Sequence, residues 1–173
     1  MKYKGIRKLN KTVSSVLKPY GIKNAFYDDE IGYCYFPGDG KVSFKIIEED
    51  FSDELFIDFI RENFGYTVFN SFIISLLHEV GHHYTLDLID DETNAFCEFE
   101  KERISVDLAN ATTKEEIKEL NYQYFNLPDE IEATAWAVEY AEKHPQQIKR
   151  MWRKVCDALY TFCEKNDIFS EED

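Results

Sequence analysis

The chain has 173 residues, 44% of them hydrophobic and 16% aromatic, which is enough apolar material for one packed domain. With seven glycines and four prolines it is neither collagen-like nor a disordered polar polymer. The net charge of −14 is unevenly spread: residues 1–20 hold six bases and no acid, and the strongly acidic remainder repels nucleic-acid phosphate.

No nucleic-acid partner is therefore expected, and the basic start reads as the solvated face of a first helix. No apolar run approaches the roughly 18 residues of a membrane-spanning helix, so no membrane association is expected. The positive N-terminus lacks a following apolar stretch and does not read as a signal peptide. Cys34, Cys97, Cys156 and Cys163 are widely spaced and form no Cys-x-x-Cys. They read as reduced thiols in a cytoplasmic protein.

Ile6, Leu9, Val13, Val16 and Leu17 recur at helical spacing over 6–18, and Pro19 and Gly21 stop that helix. Residues 23–47 are aromatic and β-branched, in the runs Ala25–Tyr27, Ile31–Phe36 and Val42–Ile47. Pro37-Gly38-Asp39-Gly40 signals a hairpin between the last two. Val42, Phe44 and Ile46 alternate with Ser43 and Lys45, which suits a strand with one wet face.

From residue 51 the pattern turns helical. Phe51, Leu55, Phe56, Phe59 and Ile60 make one stripe, ending near Asn63–Gly65. Residues 68–84 carry Val68, Phe69, Phe72, Ile73, Leu76, Leu77 and Val80 and read as a buried helix. Phe69, Phe72 and Trp152 are expected in the core. An acidic helix spans 92–110. Thr112 and Thr113 followed by Glu115 and Glu116 predict a capping box that opens a short helix. Leu127-Pro128-Asp129-Glu130 opens another, running to about Lys143. His144-Pro145 breaks the chain before a last helix at 146–165. The fold class expected is α+β: a small antiparallel sheet of about three strands packed with five to seven helices. One domain over 1–173 is expected, with a basic helix at 1–20, the sheet at 23–47, a mainly helical body at 51–166 and a frayed acidic tail at 167–173.

His78-Glu79-Val80-Gly81-His82 fits His-Glu-x-x-His inside the most apolar helical segment. Histidines at i and i+4 share a helix face, and their imidazoles can ligate one cation. Glu79 stands beside them, where it can act as general base toward a metal-activated water. The competing reading is a pair of core-edge histidines satisfied by hydrogen bonds. A catalytic zinc takes three protein ligands and keeps one open position. The extension His-x-x-Gly-x-x-His fails, because Thr85 and Leu88 stand at its Gly and His positions. His144, at a helix end beside a proline, is the weaker candidate. A carboxylate from the 129–143 helix is the better one. Glu130 is in line with the small residues Ala133, Thr134, Ala137 and Ala141, which permit a close helix approach. Glu132 is in line with Ala135, Trp136, Glu139 and Lys143, a partly solvated face. Geometry favours Glu130 over Glu132. Two histidines and a glutamate suit zinc, one per chain, and other divalent ions as well.

The His-Glu-x-Gly-His helix followed by Glu-x-Glu-Ala-x-x-aromatic-Ala resembles the ImmA/IrrE-type metallopeptidases of phages, mobile elements and bacteria, and more broadly the small gluzincins. The resemblance covers roughly residues 40–140. It implies a zincin-like fold with the metal site on its central buried helix, Glu130 as third ligand with His78 and His82, and Glu79 as catalytic base. It also implies an edge strand ahead of the metal-bearing helix, for which Val42–Ile47 is the candidate, able to pair with an extended peptide. Thr134 stands where the family often has Asn, Trp136 where it usually has Phe, and the closing Leu-Met-Pro is absent. The expected function is zinc-dependent hydrolysis of peptide bonds in a narrow protein or peptide substrate. The oxyanion donor is left open among His83, Tyr84, Tyr122, Tyr124 and His144. The alternative is a non-catalytic zinc-binding or acidic interaction protein that uses the same fold to hold a partner.

Overall fold

The computed structural model describes residues 3–46 and 53–168. Helix α1 (Ile6–Leu17) turns Leu9, Val13, Val16 and Leu17 into the core, as its spacing requires. A 3₁₀ turn at Lys18–Tyr20 closes it, and Gly21 follows at φ 85°, a backbone state that glycine adopts without steric cost.

Three strands follow: β1 (Asn24–Tyr27), β2 (Cys34–Phe36) and β3 (Lys41–Phe44). Strands β2 and β3 form the hairpin that Pro37–Gly40 predicts, and Gly40 N–H donates to the Phe36 carbonyl at 2.8 Å. Strand β1 departs from expectation. It lies parallel to β3, with Ala25 opposite Val42, so the order is β1-β3-β2 and the sheet is mixed rather than antiparallel. Val42 and Phe44 are wholly buried, and the strand that carries them takes the centre, where both faces and both edges are covered. Hence β3 is not the edge strand expected of Val42–Ile47; β2 is an edge, and Ile47 lies outside the described residues. Nor does β3 keep a wet face at Ser43, which is buried with its hydroxyl donating to the Gly32 carbonyl at 2.7 Å.

Helix α2 (Glu54–Phe64) starts at Asp53, whose carboxylate accepts from Phe56 N–H, and stops at Gly65. Phe51, placed in its stripe by sequence, lies outside the described residues. Helix α3 (Ser71–Thr85) is capped by Asn70, which accepts from Ile73 N–H at 2.9 Å. That cap sets the start later than the apolar run suggests. Phe69 therefore falls outside the helix and is 59% exposed, with Lys149 Nζ over its ring, so it is not a core residue. From Ser71 to Gly81 every residue of α3 is buried.

A 3₁₀ turn at Leu86–Leu88 leads to α4 (Asp91–Asn110), and α5 (Lys114–Phe125) opens on the predicted capping box between Thr113 and Glu116. Helices α6 (Pro128–Lys143) and α7 (Pro145–Asn166) complete the chain as described. Among the described residues, seven α-helices and a three-stranded sheet make an α+β fold. Phe72 lies in its main core, and Trp152 packs partly buried against it. A smaller cluster of Cys97, Ile104 and Leu127 joins α4 and α5 to the start of α6. The four cysteines are free, with Cys97 and Cys163 buried and Cys34 and Cys156 partly so. No described helix is long and apolar enough to cross a membrane.

Gly81 is where α3 meets α6. A Cβ built there would lie 2.3 Å from the carbonyl oxygen of Ala133, inside any real contact and against backbone that cannot swing away. Alanine would gain about 1 kcal/mol of helix propensity, but parting two packed helices costs more, about 1–3 kcal/mol and at times beyond. Gly81→Ala is expected to lower Tm by several degrees in a thermal melt; an unchanged or higher Tm would contradict this contact.

Candidate metal centre

His78 and His82 stand one turn apart on α3, the first 7% exposed and the second partly open. Glu130, 2% exposed, enters from the first turn of α6. The stripe of Ala133, Thr134, Ala137 and Ala141 behind it is buried, as the small side chains require. Helices α3 and α6 thus place one ligand atom from each of His78, His82 and Glu130 within 4.8 Å of one another.

Glu130 Oε2 lies 2.9 Å from His78 Nε2, and its Oε1 lies 3.5 Å from His82 Nε2. The two Nε2 atoms are 3.2 Å apart. All three groups aim their donors at a common point. Two imidazole nitrogens and a carboxylate are the donor set of a hydrolytic zinc site, so the residues fit a divalent metal in type and number. The other side of His78 supports this. Its Nδ1 lies 3.1 Å from the Thr134 hydroxyl; in the tautomer that carries its proton on Nδ1, that hydroxyl accepts and Nε2 offers its lone pair to a metal. Thr134 is buried at this contact. The edge of the Phe56 ring packs against the same imidazole, with centroids 5.2 Å apart.

Burial alone would push the Glu130 carboxyl up. The hydrogen bonds and charge of His78 and His82 outweigh it and hold the group well below the usual carboxylate range. For His82, burial favours the neutral ring, and the Glu130 carboxylate overcomes that and raises it. Glu79, 5% exposed, has no such hydrogen bonds, and burial raises its carboxyl above the usual value against the pull of the histidines. Two carboxylates beside one centre are thus driven in opposite directions.

The centre opens into a cleft of about 560 Å³ that Glu79 also lines. Tyr33, together with Cys34 and Tyr35 of β2, lines one part of it; Glu98 and Lys101 of α4 and Tyr124 of α5 line another.

Glu132 is exposed on α6 and joins no ligand group. His144 is exposed at the far end of α6, against the ring of Tyr140, some 20 Å along the helix from Glu130. Of the oxyanion candidates read from sequence, Tyr124 alone lines the cleft. His83 bonds the Tyr35 hydroxyl at 2.7 Å, Tyr84 stacks on Trp136, and Tyr122 bonds Glu62. Those three, and His144, do not line the cleft.

Sequence reasoning missed Lys101. Its Nζ contacts both Glu130 Oε1 and Asp129 Oδ2 and lies 5.4 Å from the centre of the Tyr124 ring. Burial disfavours its charge, but Glu130 and its neighbours outweigh that and raise its pKa above the ordinary lysine value. One of two bases among the acids of α4, it carries no sequence signal that sets it apart; only the packing of α4 on α6 reveals it.

Comparison with protein-family models, with curated proteins and with solved structures finds no match to the chain. The site stands on its own geometry. Thr134→Val keeps the shape beside His78 but strands its Nδ1–H, so divalent-metal affinity is expected to fall about 10–100-fold in competition with a chromophoric chelator. Unchanged affinity would show that Thr134 only packs.

Proposed function

We propose that the protein is a zinc-dependent metallopeptidase. The observation that carries this reading is the convergence of His78, His82 and Glu130 on one point, with Glu79 beside them in an open cleft. The resemblance of the two motifs to the ImmA/IrrE-type metallopeptidases supports it.

In this reading His78, His82 and Glu130 hold the zinc, which when bound activates a water and polarises the scissile carbonyl. Glu79 takes the water's proton as the oxygen adds to the carbonyl carbon, and delivers it to the leaving amine nitrogen as the C–N bond breaks. Its raised pKa favours this shuttle, because a more basic carboxylate accepts a proton more readily at neutral pH. Thr134 keeps His78 in the ligating tautomer. The substrate is a protein segment in extended form. It would add to the open side of β2, which lines the cleft, in place of the strand at Val42–Ile47 that sequence suggested.

Elemental mass spectrometry of the untagged protein tests the centre. About one zinc per chain is expected, lost in His78→Ala and Glu130→Ala and kept in Glu132→Ala. Absence of metal, with no uptake of added zinc, would overturn the reading.

Glu79→Gln tests the chemistry. It is expected to keep the zinc and to lower cleavage of a mass-spectrometric peptide library at least about 100-fold. Cleavage that survives the change would remove Glu79 as the base. Wild-type protein that holds zinc but cleaves nothing would favour a partner-binding role.

A further inference from the structure

Lys101 is the one cation built into this centre. Its ammonium reaches from α4 across the Tyr124 ring and touches two successive acids at the start of α6, one of them a proposed ligand. Its side chain is 26% exposed and lines the same cleft as Glu79. A mostly buried ammonium is costly unless it is paired, and here Asp129 and Glu130 together pair it.

Pairing alone does not account for a lysine at this place. Glu130 already receives both histidines, and Asp129 lies outside the group that can hold the metal. Asp129 anchors the ammonium rather than the metal. An ammonium has three protons, and two suffice for Asp129 and Glu130. The nitrogen touches the ligand group itself, at the Glu130 Oε1 that lies 3.5 Å from His82 Nε2. Lys45, the other cation that lines the cleft among the described residues, lays its stem against Gly32 and makes no ion pair with these groups.

We propose that Lys101 is the oxyanion-binding residue of this centre: its ammonium, held by Asp129 and Glu130, binds the oxygen that gains negative charge when water adds to the peptide carbonyl. The proposal rests on the metallopeptidase reading and names a donor for it. A positive charge held in place at the cleft acts on that oxygen with little reorganisation, and loss of one such donor typically costs about 100–1,000-fold in rate. Lys101 thereby fills the role for which the sequence picked out tyrosines and histidines that, Tyr124 excepted, do not line the cleft. Tyr124 instead presents its ring to the lysine ammonium.

The test uses the cobalt(II)-loaded protein and inorganic phosphate, a tetrahedral oxyanion, with the visible cobalt absorption as readout. Wild type, Lys101→Met and Lys101→Arg are compared. All three are expected to hold about one cobalt per chain. Phosphate is expected to bind Lys101→Met at least about tenfold more weakly than wild type, and Lys101→Arg within about threefold. If Lys101→Met fails to fold, Lys101→Gln replaces it, with a thermal melt as the check. Equal phosphate affinity in Lys101→Met and wild type overturns the assignment and leaves the peptidase reading standing. Loss of cobalt from Lys101→Met with an unchanged melt also overturns it, because the lysine then acts only on Glu130. Failure of wild type to take up cobalt overturns the metal reading and this proposal together.

Discussion

Helices α3 and α6 meet at Gly81 with the carbonyl of Ala133 in the space that a side chain would occupy, and the rest of the site follows from that approach. Gly81 lies in the same turn as His78 and His82, so the closest point between the helices is also the point where ligands must converge. The small residues Ala133, Thr134, Ala137 and Ala141 on the facing stripe allow it. Glu130, one turn before Ala133 and Thr134, is delivered to both imidazoles, and Thr134 to the other side of His78. A larger residue at any of these positions would separate donors that act only together.

Burial gives these contacts their chemical meaning. In a chain of net charge −14, an acid placed in the core needs partners, and the acids here differ in the partners they have. Glu130 is bonded by two histidines and Lys101 and stays ionised. Glu79, one residue from His78, receives no such bonds, and its carboxyl rises. One helix end and one helix face thus set the two carboxyls apart by hydrogen bonding rather than by residue type. The hairpin of α4 and α5 lines part of the cleft and adds the cation. It rests on a small cluster of its own and joins the body where α6 begins, so its placement is coupled to Glu130 and Asp129.

Much of this was legible from residue order, because helix spacing, caps and turn residues act within a few positions. The Thr113–Glu116 box marks a helix start, and Pro128 and His144-Pro145 bound α6. The histidine pair with Glu79 was visible as a motif, and the small-residue stripe pointed to Glu130 rather than Glu132. Errors came where neighbours in space are distant in sequence. The Pro37–Gly40 turn pairs β2 with β3, but no local signal says that β1 adds to the other side of β3 in parallel, or that Ser43 will find the Gly32 carbonyl. Phe69 looked like core because it is apolar, and the Asn70 cap left it outside.

The amino-acid sequence by itself determined the helical framework, the hairpin, the pair of histidines on one helix face and the acid beside them, because these depend on periodicity and short-range hydrogen bonds. Tertiary structure alone decided which strand is central, which tyrosine faces the cleft and that a lysine from α4 touches Glu130. These depend on how separate elements pack, and packing is set by shape and burial across the whole chain rather than by any local run of residues.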